Sequence, residues 1–468
     1  RFIMESDMIH QYKLNGYNIV LDVPSGSIHA VDDAAYDAIA LFETHGADEI
    51  AAYLAEKHGL EREEALELLG DIRSLKESGE LFSEDTFGDI SGAVKARRHT
   101  IKALCLHVSH ACNLTCGYCF AGEGQYRGER ALMSLETGKK AIDFLVAMSG
   151  ARRNLEVDFF GGEPLLNWDI VKGIVAYARS IEKEHGKNFR FTLTTNGVLI
   201  DDDVIDFTNR EMHNVVLSLD GRREVHDRMR KTPAGGGSYD LILPKFKRLV
   251  EKRGNRGYYI RGTYTRYNLD FTEDILHLAD LGFTELSMEP VVSGPEPDYA
   301  LREEDLPALF EQYEKLAVEM LRREKEGRPF TFYHYILDLD RGPCVHKRIA
   351  GCGVGTEYLA VTPAGELYPC HQFVGDESYR LGSLDKGITN TERQAEFAAV
   401  NAYSREECRK CWARLYCSGG CAANAYHASG RVEGVYPLGC ELFKKRMECA
   451  IMMQVAKAVS AQDADNDA

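Results

Sequence analysis

The placement of its cysteines constrains this 468-residue chain more than any other feature. The count of 13 is odd and the first residues lack an export signal, so metal ligation explains the cysteines better than a disulfide framework. Cys105 and Cys449 stand apart, and we expect both to be buried thiols. The others form a group of three (Cys112, Cys116, Cys119) and a group of eight (Cys344, Cys352, Cys370, Cys408, Cys411, Cys417, Cys421, Cys440).

Composition excludes several classes of protein. Hydrophobic residues make up 44% and charged residues 28%, which is the balance of a folded globular chain. The net charge of −17 disfavours a nucleic-acid partner, and no apolar run approaches the roughly 18 residues of a membrane-spanning helix. The start lacks the apolar core of a signal peptide, and Met4 or Met8 is the expected native start. We therefore expect a cytoplasmic protein without a membrane partner.

The first predicted unit covers residues 9–87. Short β-type runs at 10–14, 17–22 and 27–31 are separated by strong turn signals, among them Asn15-Gly16. Helical patterns follow over 32–43, 47–58 and 62–78. Strands followed by helices in this order predict a small winged-helix-like unit, and residues 88–97 are the expected linker.

A second predicted unit, residues 98–335, alternates apolar strands with amphipathic helices. Helices are expected over 135–148, 169–185 and 241–253. Repeated βα units indicate a parallel sheet, and six of them are too few for a complete eight-fold barrel. The predicted fold is α/β, a partial (β/α)6 TIM-like barrel. Its strands are expected at 101–108, 155–160, 189–195, 215–219, 257–264 and 285–290.

The group of three cysteines directly follows the first barrel strand, at the face where barrel enzymes place their chemistry. Three thiolates on one loop can hold three irons of a [4Fe–4S] cube and leave the fourth iron open to a ligand. The alternative is structural zinc, for which His107 or His110 would supply the fourth ligand.

The ends of the next strands carry small polar groups. Gly161-Gly162-Glu163-Pro164 follows the second strand, where glycines let a ligand approach the backbone and a carboxylate can pair with an ammonium group. Asn196 and Ser218 lie where the third and fourth strands should end. Each motif alone is typical of an ordinary turn, but together they place polar groups around one rim.

These motifs, in this order, resemble the radical S-adenosylmethionine (radical SAM) superfamily. The resemblance implies that SAM binds the open iron, with its amino group held by Glu163 and the Gly161-Gly162 backbone. It also implies that Asn196 and Ser218 lie near the SAM carboxylate or ribose and Phe120 near the adenine. Electrons would come from an external flavodoxin- or ferredoxin-type donor, and reductive cleavage of SAM would give a 5′-deoxyadenosyl radical.

The eight later cysteines, within residues 336–455, resemble the SPASM extension of radical SAM enzymes. That resemblance implies two auxiliary clusters and three [4Fe–4S] clusters in all. If Cys344 is not a ligand, the first auxiliary cluster has an open iron; a zinc ribbon is the structural alternative. His371, which follows Cys370, is a speculative catalytic base where sulfatase-maturing relatives carry aspartate. The implied ligand sets are Cys344, Cys352, Cys370 and Cys421 for one cluster, and Cys408, Cys411, Cys417 and Cys440 for the other.

Residues 9–87 resemble a RiPP recognition element, which binds the leader of a ribosomally made peptide at a strand edge, here 27–31 beside helix 62–78. A DNA-binding winged helix is the alternative, disfavoured by acidic residues such as Asp48 and Glu49. The three parts together most resemble SCIFF (ranthipeptide) maturases, which form Cys-derived thioethers in a Cys-rich precursor by hydrogen abstraction. Formylglycine formation, carbon–carbon crosslinking and a non-catalytic metal scaffold are the alternatives.

Overall fold

The computed structural model describes residues 8–89, 100–126, 128, 130–339 and 344–466. Most of the predicted linker 88–97 lies outside these ranges. The chain begins with a three-stranded antiparallel sheet in the order β1-β2-β3, followed by three helices. Asn15 and Gly16 both have positive φ, as a tight hairpin turn requires. The bounds are β1 Ile9–Leu14, β2 Tyr17–Asp22, β3 Ile28–Val31, α1 Asp33–Leu41, α2 Ala47–His58 and α3 Arg62–Glu77.

The predicted barrel strands form the parallel centre of an 11-stranded sheet. Their order along it is β12-β11-β10-β8-β7-β6-β4. The main strands are β4 Ala103–Ser109, β6 Asn154–Gly161, β7 Asn188–Thr195, β8 Met212–Ser218, β10 Tyr258–Tyr264 and β11 Glu285–Pro290, and the short β12 Thr331–Phe332 lies at the edge. Two more short strands, β5 Thr115–Cys116 and β9 Arg230–Lys231, form a separate two-stranded sheet. The helices are α4 Leu135–Met148, α5 Trp168–His185, α6 Asp202–Glu211, α7 Arg223–Met229, α8 Tyr239–Lys252, α9 Phe271–Asp280 and α10 Leu306–Lys325.

Alternation along each strand places the core between the sheet and these helices. On β6, Leu155, Val157 and Phe159 are fully buried in the main core, and α5 adds Ile174 and Val175 from its apolar face. The residues between them on the strands, such as Asp158, face the opposite side of the sheet. The side of β6 and β7 that faces away from the helices therefore carries polar groups, among them Asp158 and Thr192.

The C-terminal part continues this sheet instead of standing apart from it. Strand β13, Tyr358–Val361, pairs in parallel with β4, with Tyr358 opposite Ala103. Because an incomplete barrel leaves the outer edge of β4 unpaired, a further strand can satisfy its backbone groups. Three short antiparallel strands follow: β14 Glu366–Tyr368, β15 Gly382–Ser383 and β16 Gly387–Ile388.

Two of the later cysteines, Cys408 and Cys417, lie on short helices, and one long helix, which carries Cys440, closes the chain. That helix, α16 Pro437–Asn466, begins at a proline, which is well suited to a first helical position. It packs against α10 and β1, where the Tyr12 hydroxyl donates to the Glu448 carbonyl at 3.0 Å. The short helices are α11 Val345–Ala350, α12 Thr391–Ala399, α13 Glu406–Arg409, α14 Arg414–Cys417 and α15 Ala422–Ser429.

None of the helices within the described residues combines the length and the apolar character needed to cross a membrane.

Candidate active site

The first cysteine group lies on the loop that follows β4, as predicted. Strand β5 fixes this loop by pairing antiparallel with β9, which puts Cys116 opposite Arg230, and the Gly117 amide donates to the Met229 carbonyl at 2.8 Å. Burial raises the pKa of Cys112 to about 12 and that of Cys116 to about 11. A thiol must lose its proton to ligate a metal, and the positive charge of a bound metal favours that loss.

Gly161 and Gly162 lie directly against this loop. A Cβ on Gly161 would stand 2.2 Å from the Ser109 carbonyl oxygen, and one on Gly162 would stand 2.2 Å from that of Ala111. Gly161 also has a φ of 124°, which other residues rarely adopt. The sequence suggested that these glycines admit a ligand; the structure shows that they first of all admit the backbone that leads into the cysteine loop.

Glu163 is buried at the centre of the strand-end rim, with 1% of its surface exposed. Its carboxylate accepts hydrogen bonds from the Leu165 amide (3.0 Å), the Thr195 hydroxyl (2.7 Å) and the Asn196 amide (2.8 Å). Burial raises its pKa to about 7, although the three donors oppose the rise. A carboxylate has about four acceptor positions, so one remains that could receive an ammonium group.

Asn196 joins the same rim. Its side-chain amide nitrogen, Nδ2, donates to the side-chain oxygen of Asn113 at 2.8 Å and lies 3.6 Å from the Cys112 sulfur. Ser218 ends β8 in a half-buried position, and the Phe120 ring is half exposed, 5.7 Å from the His371 ring. The structure thus brings Asn196, Glu163 and the cysteine loop together, with Phe120 on the side that faces the C-terminal part.

A buried network behind the loop was not found by sequence reasoning. The Tyr118 hydroxyl donates to the Asp220 carboxylate at 2.5 Å, and the Arg230 guanidinium donates to the same oxygen at 3.0 Å. Burial raises the pKa of Cys116, and the Arg230 charge opposes that rise. Asp220 follows a predicted strand end and could have been selected, but Arg230 lies on a two-residue strand that no periodicity predicts.

Histidine ligation of zinc, the alternative for this loop, finds no support in the geometry. The His107 and His110 rings hydrogen-bond each other, Nδ1 to Nε2, at 3.1 Å, and both rings lie against Tyr126. Within the described parts of the chain, no three His, Cys, Asp or Glu side chains converge closely enough to hold a single metal ion. Thiolates on an iron–sulfur cube each bond a different iron and do not need to converge on one point.

The later cysteines separate into two neighbourhoods. The charges of Cys352 and Cys421 act on Cys370, whose pKa burial raises well above its ordinary value. Likewise Cys408, Cys411 and Cys440 all act on Cys417, whose pKa burial raises to about 12. These neighbourhoods match the two implied ligand sets apart from Cys344, which is exposed immediately before α11.

Two further sequence expectations concern single side chains. Cys105 and Cys449 are both buried, as predicted. Burial, together with the charge of Arg261, lowers the pKa of His371 to about 4. The ring is therefore uncharged at neutral pH, and the assignment of His371 as a catalytic base stays a prediction.

Two family profiles match the chain over these regions. The Radical SAM superfamily profile covers residues 106–279, and the SPASM iron–sulfur cluster-binding domain covers residues 352–412. The chain carries a radical SAM domain followed by a SPASM domain. These domains imply that SAM and iron–sulfur clusters are its cofactors, and the thiol loop beside Glu163 and the grouped later thiols fit that donor chemistry.

Several curated proteins are similar along most of their length. An uncharacterized protein of Archaeoglobus fulgidus is 27% identical over 74% of this chain and 80% of its own. The radical SAM cyclopropyl synthase TigE of Paramaledivibacter caminithermalis is 23% identical over 74% of this chain and 72% of its own. A cysteine-type anaerobic sulfatase-maturating enzyme of Clostridium perfringens is 25% identical over 67% of this chain and 86% of its own.

Solved structures share the fold. The structure of anSMEcpe with bound AdoMet has a TM-score of 0.62 at 22% identity, covering 76% of this chain and 98% of that one. Streptococcus suis SuiB bound to its precursor peptide SuiA has a TM-score of 0.52 at 15% identity, covering 92% and 98%. The mixed α/β fold with a large parallel sheet and a C-terminal SPASM part is thereby confirmed.

Proposed function

We propose that the chain is a radical SAM maturase that installs Cys-derived thioether crosslinks in a Cys-rich, ribosomally made peptide. The observation that carries the proposal is the thiol loop beside Glu163, combined with two further groups of thiols in the SPASM part. A single cluster would be enough to cleave SAM. Additional clusters suit a reaction in which an electron must also leave the peptide.

Three [4Fe–4S] clusters are proposed, held by the ligand sets that the resemblance implies. When bound, SAM and the first cluster supply the radical that abstracts hydrogen. The role of the protein residues is to bind, orient and exclude water. Glu163 and the adjacent glycine backbone would hold the SAM amino group, while Asn196 and Ser218 face the carboxylate or ribose. Phe120 would cover the adenine from the side of the SPASM domain.

A peptide substrate is supported by what the similar proteins bind. SuiB is solved with its precursor peptide SuiA, and anSMEcpe with the peptides Kp18Cys and Cp18Cys. In this chain the N-terminal unit, proposed as a RiPP recognition element of residues 9–87, offers an edge strand. Among the described residues β3 pairs with β2 alone, so a leader segment could add to its outer edge through backbone hydrogen bonds.

The sulfatase-type alternative receives less support from the site. In the resemblance, formylglycine formation relies on an aspartate at the position of His371. This chain has His371 at that position and therefore lacks the carboxylate that the resemblance assigns to this reaction.

The test is anaerobic incubation of the reconstituted enzyme with a short Cys-rich candidate precursor peptide, SAM and a reductant. Each thioether removes one hydrogen from the acceptor carbon and one from the Cys thiol, so mass spectrometry should show the loss of two hydrogens per crosslink. 5′-Deoxyadenosine should accumulate with it. Deoxyadenosine formation with an unchanged peptide mass would refute thioether formation, and iron analysis should give about four irons per proposed cluster.

A further inference from the structure

A cavity of about 510 Å³ lies where all parts of the chain meet. Its size is within the range of about 300–1,000 Å³ that is usual for binding sites. It is lined from the β2–β3 turn by Gly26, from β11 by Glu289, from α14 by Tyr416 and from α16 by Arg446. None of these residues belongs to the thiol loop or to the rim around Glu163.

One part of the cavity lining carries charged side chains of opposite sign, Arg446 and Glu289. The Arg446 guanidinium lies 3.4 Å from one Glu289 oxygen, and the His334 ring nitrogen lies 3.4 Å from the other. Burial raises the pKa of Glu289, but the charges around it, those of Arg446 and Arg261 among them, outweigh this and hold it below its ordinary value. Burial lowers the pKa of His334 to about 4, so the ring is neutral at pH 7. The Arg446–Glu289 pair then has no net charge.

One hydrogen-bond donor at this end is unused. The Nε of Arg446 is buried and has no hydrogen-bond partner among the described residues. An unpaired buried donor destabilises the protein, so a ligand that accepts from it gains affinity. Because the pair is neutral overall, a neutral acceptor such as a peptide carbonyl suits it better than an anion.

Another part of the lining is apolar and exposed to solvent. Tyr333 and Ile336 are 53% and 56% exposed, and both line the cavity. Phe443 and Met447 of α16 line it as well. Asp338 and Arg348 also line the cavity, so two acidic and two basic side chains balance there when Glu289 and Arg446 are included. A lining without net charge beside apolar side chains matches an uncharged stretch of polypeptide.

The N-terminal sheet determines the direction from which a peptide would arrive. All three of its strands are antiparallel, so a leader added beside β3 in the same pattern would run from the Val31 end toward the Ile28 end. Gly26, which lines the cavity, lies two residues before Ile28. The residues that follow such a leader would therefore be delivered to the cavity. At the other end, Glu289 acts on the Cys421 thiol, so the cavity ends near the SPASM cysteines.

We propose that this cavity binds the uncharged segment of the peptide substrate that joins the leader to the modified residues, with one backbone carbonyl accepting from Arg446. The inference rests on the proposed function, since it requires a peptide substrate with a leader. It adds a second recognition site, separate from the strand edge that holds the leader.

The test compares affinities for two fluorescent probes, a full-length Cys-rich candidate precursor and a peptide of its leader alone. With reconstituted full-length protein, Ile336→Asp should weaken binding of the full-length precursor by about tenfold and leave leader binding within about twofold. Arg446→Lys, which retains the charge and removes Nε–H, should act in the same direction. Leu241→Asp is the matched control, since Leu241 is 51% exposed on α8 and lies outside the cavity.

Each outcome decides the matter. Unchanged affinity of Ile336→Asp and Arg446→Lys for the full-length precursor would overturn the cavity assignment. Equal weakening of both probes would overturn it too, because the effect would then lie in the leader site. Failure of the wild-type protein to modify the precursor would instead remove the proposed function itself.

Discussion

The Gly162 α-carbon lies so close to the Ala111 carbonyl that a Cβ would stand 2.2 Å from its oxygen. The Glu163 amide also donates to the Ala111 carbonyl at 2.8 Å. The strand end that carries Glu163 and the loop that carries Cys112 are therefore held at a fixed separation by backbone contact. We infer that the proposed SAM-binding carboxylate and the thiols are positioned by one rigid contact.

Gly162→Ala should disrupt this contact. The obstructing atom belongs to the backbone and cannot rotate away, so the loop must move, and displacements of about 1 Å can cost about 100-fold in rate. We expect SAM cleavage to fall by about that factor and iron to be lost from the first cluster alone, as measured by deoxyadenosine production and iron content. Gly70→Ala is the control: its Cβ meets nothing within 4 Å on α3, and stability should stay the same or rise. Wild-type cleavage by Gly162→Ala would contradict the contact's role.

Glu163→Gln should destabilise the protein even without SAM. Both carboxylate oxygens accept backbone N–H groups, so either orientation of the amide turns an NH2 group toward the Leu165 or the Asn196 amide. A buried unsatisfied donor costs about 1–3 kcal/mol, which denaturant unfolding of the apo-protein would measure. Glu136→Gln, at an exposed position of α4, should change stability by less than about 0.5 kcal/mol. Equal effects of the two substitutions would show that the hydrogen bonds of Glu163 contribute nothing.

Pairs of cysteine variants test the grouping in the SPASM part. Cys370→Ala combined with Cys421→Ala should remove no more iron than either alone, about four ions, because both thiols lie in one group. Cys417→Ala combined with Cys421→Ala should remove about twice as much, although these two residues are closer in sequence. Iron and sulfide analysis of reconstituted protein gives the answer. The reverse pattern would require a different ligand assignment.

His226 should contribute to acid sensitivity. Burial lowers its pKa from 6.5 to about 4 in the folded protein. Between these pH values the unfolded chain binds a proton that the folded chain does not, so the free energy of unfolding decreases as the pH falls from 6.5 to 4. The slope from one such group is at most about 1.4 kcal/mol per pH unit, and its effect is complete below pH 4.

A variant isolates that contribution. The His226 ring accepts from the Asp220 amide at 3.3 Å and lies 2.9 Å from the Ser238 hydroxyl, and Gln could form both contacts without titrating. His226→Gln should therefore reduce the pH dependence of apo-protein unfolding by up to one proton. His185→Gln, at an exposed position of α5, should leave it unchanged. Identical slopes for wild type and His226→Gln would exclude this source.

Much of the barrel could be predicted because each strand and helix shows its own hydrophobic periodicity in the sequence. Buried strands with amphipathic helices between them show regular periodicity, and α4 was predicted at 135–148, where the structure has it. The pairing of β13 with β4 was not predictable, because it joins Tyr358 to Ala103 across 255 residues and depends on the open edge of an incomplete barrel.

Some residues of the candidate site could also be predicted from the sequence, and others could not. The thiol loop and Glu163 were identifiable because each directly follows a recognisable strand. The Asp220–Arg230 pair was not, because its members come together only through β9 and the fold around it. At Gly162 the sequence shows that a close approach occurs but not which atoms approach.

The assignment of the thiol loop as the SAM-cleaving centre can be tested by measuring reductive SAM cleavage in one variant. That variant combines Cys112→Ala, Cys116→Ala and Cys119→Ala. The variant, reconstituted and assayed anaerobically beside wild type, should produce no 5′-deoxyadenosine while retaining the iron of the two auxiliary groups, about eight ions. Deoxyadenosine production at the wild-type rate would contradict the assignment of this loop as the SAM-cleaving centre.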